Sequence, residues 1–202
     1  MTLSIPIKLG PRSFIQRVVL AGNRAVPAPA LLEAAELEVG DPVSQVEIDR
    51  ARRRVLDTYA EEGYAFAEVE TELELSADRR HAVVRFVISE RKPVRVSRIV
   101  IRGARITSES LIRRRVALEP SGLYRRSLVR RTEEHLATLG VFSSVTVGFE
   151  DPYVPAAEKV VVVTLQERKP QYLDVRPGFS TGEGFRITFE YGHRNVGGEA
   201  IQ

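Results

Sequence analysis

Glu90-Arg91-Lys92-Pro93 and Glu167-Arg168-Lys169-Pro170 are the same four residues met twice in one chain. Working outward, the residues before each copy repeat as well. Val18-Val19-Leu20-Ala21-Gly22 returns as Ile99-Val100-Ile101-Arg102-Gly103. Leu31-Leu32 returns as Leu111-Ile112, Ile48 as Leu128, Leu56 as Leu136, and Gly63-Tyr64 as Gly140-Val141. The matches keep their order at offsets of 77 to 81 residues, so the chain is built from two copies of one unit, 14–93 and 94–170.

Both copies read alike. A short alternating strand (Ile15–Leu20; Val96–Ile101) ends at a glycine, which marks a turn. A short helix follows, carrying Leu31, Leu32 and Ala35, or Leu111, Ile112 and Val116. A loop with Gly40-Asp41-Pro42, or Pro120-Ser121-Gly122, leads into a longer helix. In the first copy Ser44 and Glu47 have capping-box spacing, and Ile48, Ala51, Val55, Leu56 and Tyr59 fall on one face. Gly63 and Gly140 stand where a left-handed cap is wanted.

Two strands close each unit. In Glu68–Leu75, Val69, Thr71, Leu73 and Leu75 alternate with Glu68, Glu70, Glu72 and Glu74. Its counterpart, Ser144–Glu150, carries Val145, Val147 and Phe149 on its apolar face. The last strands are Ala82–Ile88 and Lys159–Glu167, and Val160–Val163 is apolar on both faces, as a central strand would be. The expected fold class is α+β: tandem β-α-α-β-β repeats, each with two helices on a three-stranded mixed sheet.

Composition narrows the chemistry. The 202 residues hold no cysteine, which excludes disulfides, thiolate catalysis and cysteine-ligated metals. The three histidines, His81, His135 and His193, lie too far apart in sequence to suggest a metal motif, and His135, beside Glu133 and Glu134, reads as solvated surface. Net charge is only +3, and 26 of the 30 basic residues are arginine, which codon bias alone can produce. No run approaches the roughly 20 apolar residues of a membrane-spanning helix, and the start lacks the pattern of a signal peptide.

The ends depart from the repeat. Ile5-Pro6-Ile7-Lys8-Leu9-Gly10-Pro11-Arg12 resembles the close of a preceding unit, so 1–13 is expected to be the end of an earlier repeat in an excised piece. Within 171–202, Leu173, Val175 and Phe179 alternate with polar residues, a glycine-rich turn follows, and Phe185, Ile187, Phe189 and Tyr191 alternate again. Two such segments fit either a soluble hairpin or the first strands of a transmembrane barrel, most of which this chain would then lack.

Repeats of this order, Gly-Phe-Ser-Thr-Gly-Glu-Gly at 178–184 and Asn-Val-Gly-Gly at 195–198, together with the Gly63-Tyr64 and Gly140-Val141-Phe142 corners, resemble POTRA domains entering an outer-membrane barrel. The family is the BamA and TamA type of outer-membrane assembly factor, the bacterial surface antigen proteins. The resemblance implies a non-enzymatic periplasmic array that receives unfolded outer-membrane proteins and belongs to the outer membrane through its barrel. It implies accessory envelope proteins as further partners and no cofactor. A POTRA array serving polypeptide secretion, or another envelope scaffold, is the alternative.

Other motifs are weaker. Gly178-Phe179-Ser180-Thr181-Gly182 matches the nucleophile elbow, but that elbow needs a helix after the serine, and an alternating segment follows instead; Asp174 and His193 do not rescue a catalytic Ser180. The β-α-α-β-β order also begins the KH fold. KH modules clamp RNA with a Gly-x-x-Gly loop, whereas Gly40-Asp41-Pro42-Val43 and Pro120-Ser121-Gly122-Leu123 have no second glycine, so no nucleic-acid partner is expected.

Residues 94–170 carry 14 basic and 8 acidic side chains, against 11 and 15 in 14–93. Arg113, Arg114, Arg115, Arg125, Arg126, Arg130 and Arg131 concentrate that charge and suggest contact with anionic lipid headgroups or an acidic partner. In the family the strand after the second helix lies at the sheet edge, where unpaired backbone groups recruit an extended client by β-augmentation. Four glutamates guard that strand in the first copy. In the second, Thr146 and Gly148 stand at the guarding positions, so Val145, Thr146, Val147, Gly148 and Phe149 are the expected client edge.

Overall fold

The computed structural model describes residues 12–169, 171–180, 184–193 and 198–199. The segment read as the end of an earlier repeat lies almost wholly outside them, as do the turn at 181–183 and the side chains of Ser180 and His193. Two compact units divide between Pro93 and Val94.

The first unit runs β1 (Phe14–Ala21), α1 (Ala28–Ala35), α2 (Gln45–Glu61), β2 (Glu68–Leu75) and β3 (His81–Ser89). The second runs β4 (Arg95–Arg102), α3 (Glu109–Arg115), α4 (Arg126–Ala137), β5 (Phe142–Phe149) and β6 (Glu158–Glu167), followed by a hairpin of β7 (Gln171–Ser180) and β8 (Gly184–His193). Strand orders are β1-β3-β2 and β4-β6-β5. The last repeat strand is central in each sheet, parallel to the first and antiparallel to its hairpin partner. Val161 and Val163 of β6 are fully buried and Val162 nearly so. The α+β expectation holds, and even the register shift recurs: β1 slips between Ile15 and Arg17, β4 between Val96 and Arg98.

One helix–sheet core fills each repeat. Leu31 and Ala35 of α1 pack with Ile48, Ala51, Val55 and Tyr59 of α2 and with Val84 and Phe86 of β3. Ile112 and Leu136 play the same part over Val161, Val163 and Leu165. The helix end at Glu62 closes as expected: Gly63 has φ 88°, and the Tyr64 N–H reaches back to the Tyr59 carbonyl at 2.9 Å.

Two local expectations need correction. Ser44 occupies the N-cap position of α2, but its side chain makes no cap bond, and the Glu47 carboxylate turns to Arg50. Leu73 and Leu75, placed on the apolar face of β2, are 39% and 49% exposed. Among residues of that face only Val69 is buried, and Thr71 is half-buried with a hydroxyl that finds no partner.

The repeated Glu-Arg-Lys-Pro has a physical reason. Glu90, just past β3, accepts the N–H groups of Arg24 (2.6 Å) and Ala25 (2.8 Å) and the Tyr59 hydroxyl (2.9 Å). Glu167 accepts the N–H groups of Arg105, Ile106 and Thr107 at 2.7–3.1 Å. Each carboxylate thereby caps the loop that enters the first helix. That loop can approach because Gly22 and Gly103, at φ 91° and 89°, lie against the carbonyl oxygens of Ile88 and Leu165, where a Cβ would collide. The following arginine secures the outer strand: Arg91 pairs with Glu68 at 3.2 Å, and the Arg168 Nε–H donates to the Phe142 carbonyl at 2.9 Å.

Partial burial pushes both carboxyls up, but the donors around them more than offset it and hold Glu90 and Glu167 below the ordinary glutamate value. A carboxylate lowered on folding adds stability above its unfolded pKa, and that stability is lost as pH falls through the folded value. Urea midpoints of the chain should therefore fall on acidification below about pH 4.5. The same series on Glu167→Gln should start lower at neutral pH and fall less steeply.

Candidate functional site

Each repeat sheet has two outer strands, and they are finished differently. The outer side of β1 is taken at its start by the loop between the helices: the Ile15 N–H donates to Asp41 (2.8 Å), the Ile15 carbonyl accepts from Gly40 (2.7 Å), and the Ser13 carbonyl accepts from Val43 (2.9 Å). In the second repeat Gly122, Ser121 and Tyr124 do the same for Val96 and Val94 at 2.7–2.9 Å. The left-handed φ of Gly40 (99°) and Ser121 (64°) shapes these loops. Backbone groups that an RNA clamp would need thus serve the sheet.

On the other side, β2 and β5 each have one ladder partner among the described strands. Alternate residues of an antiparallel strand turn their backbone groups outward. The Ser76 N–H bonds inward to His81 and the Glu150 N–H to Val160. Outward groups therefore belong to Val69, Thr71, Leu73 and Leu75 on β2, and to Val145, Val147 and Phe149 on β5. The residues expected to form the client edge are together on β5, with Thr146 exposed and Gly148 open to solvent where a Cβ would meet nothing.

That edge is not bare. Glu133 on α4 reaches over it, and its Oε1 accepts the Val147 N–H at 2.9 Å. The carboxylate occupies the central outward donor of the strand, a device that blocks indiscriminate edge pairing. Tyr124 packs at a tilt against Phe149 beside it, ring centroids 4.2 Å apart, and burial together with the Glu133 charge pushes the Tyr124 hydroxyl up to about 12. Repeat alignment sets Arg53 opposite Glu133, so the first copy lacks this cap. Nothing in the sequence marked Glu133 beyond its charge.

The seven arginines are all exposed, but not all are free. Arg113 pairs with Glu109 at 2.6 Å and Arg130 with Glu134 at 3.9 Å. Arg114 approaches Glu199 at 3.8 Å, and the Ser108 N–H donates to the Gly198 carbonyl at 3.0 Å. Residues 198–199 thus dock where α3 begins. Arg126 is engaged as well, while Arg115, Arg125 and Arg131 have no ion pair among the described residues. His135 is half-buried rather than solvated, its Nδ1 lying 3.3 Å from the Arg115 carbonyl.

The hairpin separates two faces. Val175 pairs with Phe189, Pro177 with Ile187 and Phe179 with Phe185. Phe179, Phe185 and Phe189 are 66–77% exposed. On the other face Arg176 pairs with Asp174 (2.7 Å) and Glu190 (3.2 Å). The stretch of that face carrying Val175, Pro177, Phe179, Phe185, Ile187 and Phe189 is apolar and exposed, the alternation that a barrel strand pair presents to lipid. No described helix is long and apolar enough to cross a membrane, which says nothing of strands. No cluster of metal-ligating side chains occurs among the described residues.

Comparison with known proteins gives the same architecture. The POTRA family, surface antigen variable number repeat, matches residues 13–91 and 94–168. The chain belongs to this family. It is 25% identical to the outer membrane protein assembly factor BamA of Nitratidesulfovibrio vulgaris over 98% of its own length and 25% of that protein's. With BamA of Neorickettsia risticii the figures are 24%, 98% and 27%. The chain spans about a quarter of the length of these relatives. The crystal structure of Haemophilus ducreyi BamA lacking POTRA domains 1–3 superposes with a TM-score of 0.74 at 15% identity, covering 94% of this chain and 35% of that one. POTRA3–5 of Haemophilus influenzae BamA gives 0.65 at 19% identity, covering 79% and 62%. The resemblance to BamA-type POTRA domains is borne out.

The Glu133 cap is directly testable by amide exchange. Glu133→Ala should make the Val147 amide exchange roughly tenfold faster, the equivalent of one charge-assisted hydrogen bond. Glu133→Gln, which keeps an acceptor oxygen, should fall between the two.

Proposed function

We propose that this chain is the barrel-proximal periplasmic portion of an outer-membrane protein assembly factor, and that it receives unfolded outer-membrane proteins by strand addition on β5. The observation that carries the reading is the outer side of β5 itself. Its outward backbone groups sit on a strand whose exposed face bears Thr146 and Gly148 rather than four glutamates, and a single displaceable side chain stands over its centre. An incoming strand replaces the Glu133 carboxylate with its own carbonyl at Val147. Backbone pairing tolerates client sequence, and four to six new bonds at about 0.5–1.5 kcal/mol each, less the cap displaced and the ordering of the client, leave weak binding. Weak binding suits a protein that must hand its client on. The likeness to BamA proteins and the apolar hairpin face support placing the repeats in the periplasm beneath an outer-membrane barrel.

The arginines of α3 and α4 fit a second role in the same setting. Arg115, Arg125 and Arg131 would meet anionic headgroups or an acidic accessory protein, while Arg114 holds Glu199.

An NMR titration of the chain in neutral detergent with peptides from outer-membrane β-strands tests the reading. Shifts should run along Val145–Phe149, with the Val147 amide losing its Glu133 contact, and single-stranded RNA should leave the spectrum unchanged. Shifts confined to Glu68–Leu75, or to the loops between helices with RNA alone, would contradict it.

A further inference from the structure

Successive backbone N–H groups lead into α3. Those of Arg105, Ile106 and Thr107 belong to the Glu167 carboxylate, and the next, that of Ser108, donates to the Gly198 carbonyl at 3.0 Å. Gly198 is buried against this turn at φ 79°. A Cβ on it would stand 2.5 Å from the Ile106 carbonyl oxygen, so any side chain there would push the segment away. Glu199 holds the same turn and helix from outside. Its Oε1 accepts the Ser108 hydroxyl at 3.2 Å, and its Oε2 lies 3.8 Å from Arg114.

The first repeat has the same backbone at this place and the opposite chemistry. Pro27 stands directly before α1 as Ser108 stands before α3, at φ −61° and ψ 140° against φ −64° and ψ 137°. Glu90 gathers the N–H groups of Arg24 and Ala25 as Glu167 gathers its own loop, so the turn is built alike in both repeats. Proline, however, has no N–H to give and no hydroxyl. Where α3 has Arg114, the equivalent place of α1 counted from that turn holds Glu33, which would repel a second glutamate. The backbone donor, the hydroxyl and the cation are each missing or reversed.

We infer that Ser108 and Arg114 key the second repeat to the chain that leaves β8, and that Pro27 and Glu33 key the first repeat against it. The seat takes a glycine followed by an acid: the glycine for close approach, the acid for the hydroxyl and the guanidinium. Because β8 is the second strand of the hairpin, the contact ties hairpin and repeat at a point besides their covalent junction after Glu167. A single junction leaves a repeat free to swing, and a second point restrains it. Where the hairpin opens an outer-membrane barrel, which rests on the function proposed above, the key assigns the barrel-adjacent place to the repeat that carries the β5 edge.

Backbone ¹⁵N relaxation and amide exchange on the full chain in neutral detergent test the inference. In the unaltered chain Gly198 and Glu199 should be as ordered as α3, with the Ser108 amide protected. Gly198→Ala should speed exchange of that amide about tenfold. Ser108→Pro gives the second repeat the residue of the first, at a φ that proline adopts. Combined with Arg114→Glu it should release Gly198 and Glu199 to the order of a free chain end, while the Ile112 amide, which reads α3 itself, exchanges as before. Arg114→Glu alone should speed exchange at Ser108 about threefold, and adding Glu199→Arg should restore the original rate. If the proline variant disturbs α3, this charge exchange decides. Mobile Gly198 and Glu199 in the unaltered chain, an ordered segment in the combined variant, or charge reversal without rescue would overturn the inference. Client addition is read on Val145–Phe149, so failure of the seat and failure of the β5 reading are separate outcomes.

Discussion

The fold of each repeat hangs on a carboxylate at the end of its central strand. Glu90 and Glu167 gather the free N–H groups of the loop that follows the first strand, and so fix where the first helix begins. The glycine before that loop lets it press on the central strand's backbone, and the arginine after the glutamate ties down the outer strand. One four-residue motif thus links three strands and a helix. The hydrophobic core supplies most of the stabilisation, but it is non-directional; the carboxylate decides which loop meets which strand. Where Tyr59 lends its hydroxyl to Glu90, Thr107 serves Glu167, so two different sequences reach the same arrangement.

That arrangement covers the start of one sheet edge and leaves the other open. The loop between the helices bonds to the first strand, while the strand after the second helix keeps an open flank. Natural sheets manage such flanks with charge or cover, and the two repeats take one option each. β2 carries glutamates along its solvent face. β5 carries a single carboxylate lowered onto its central amide from the helix above.

Much of this was legible in the sequence. Ordered repetition exposed the two units, period-two and period-3.6 patterns gave the strands and helices, and the glycines marked the corners. What stayed hidden depends on where a side chain reaches in three dimensions. Glu133 looked like one more solvated charge, because its contact with Val147 is set by the rotation of α4 over β5. Leu73 and Leu75 alternated correctly but lie beyond the reach of α2. The capping box of Ser44 and Glu47 did not form: Ser44 makes no cap bond, and Glu47 pairs with Arg50. The arginine cluster read as free charge, yet Glu109, Glu134 and Glu199 draw on it.

The central claim is that clients are held by the flank of β5 rather than by a groove or a helix face. Site-specific photo-crosslinking tests it most directly, with the reactive group placed in turn at Thr146 on β5 and at Arg131 on α4, and a urea-diluted outer-membrane protein as client. Strand addition predicts adducts from Thr146 that increase in a Glu133→Ala background, and few from Arg131. Equal adducts from both positions, or adducts indifferent to Glu133, would contradict it.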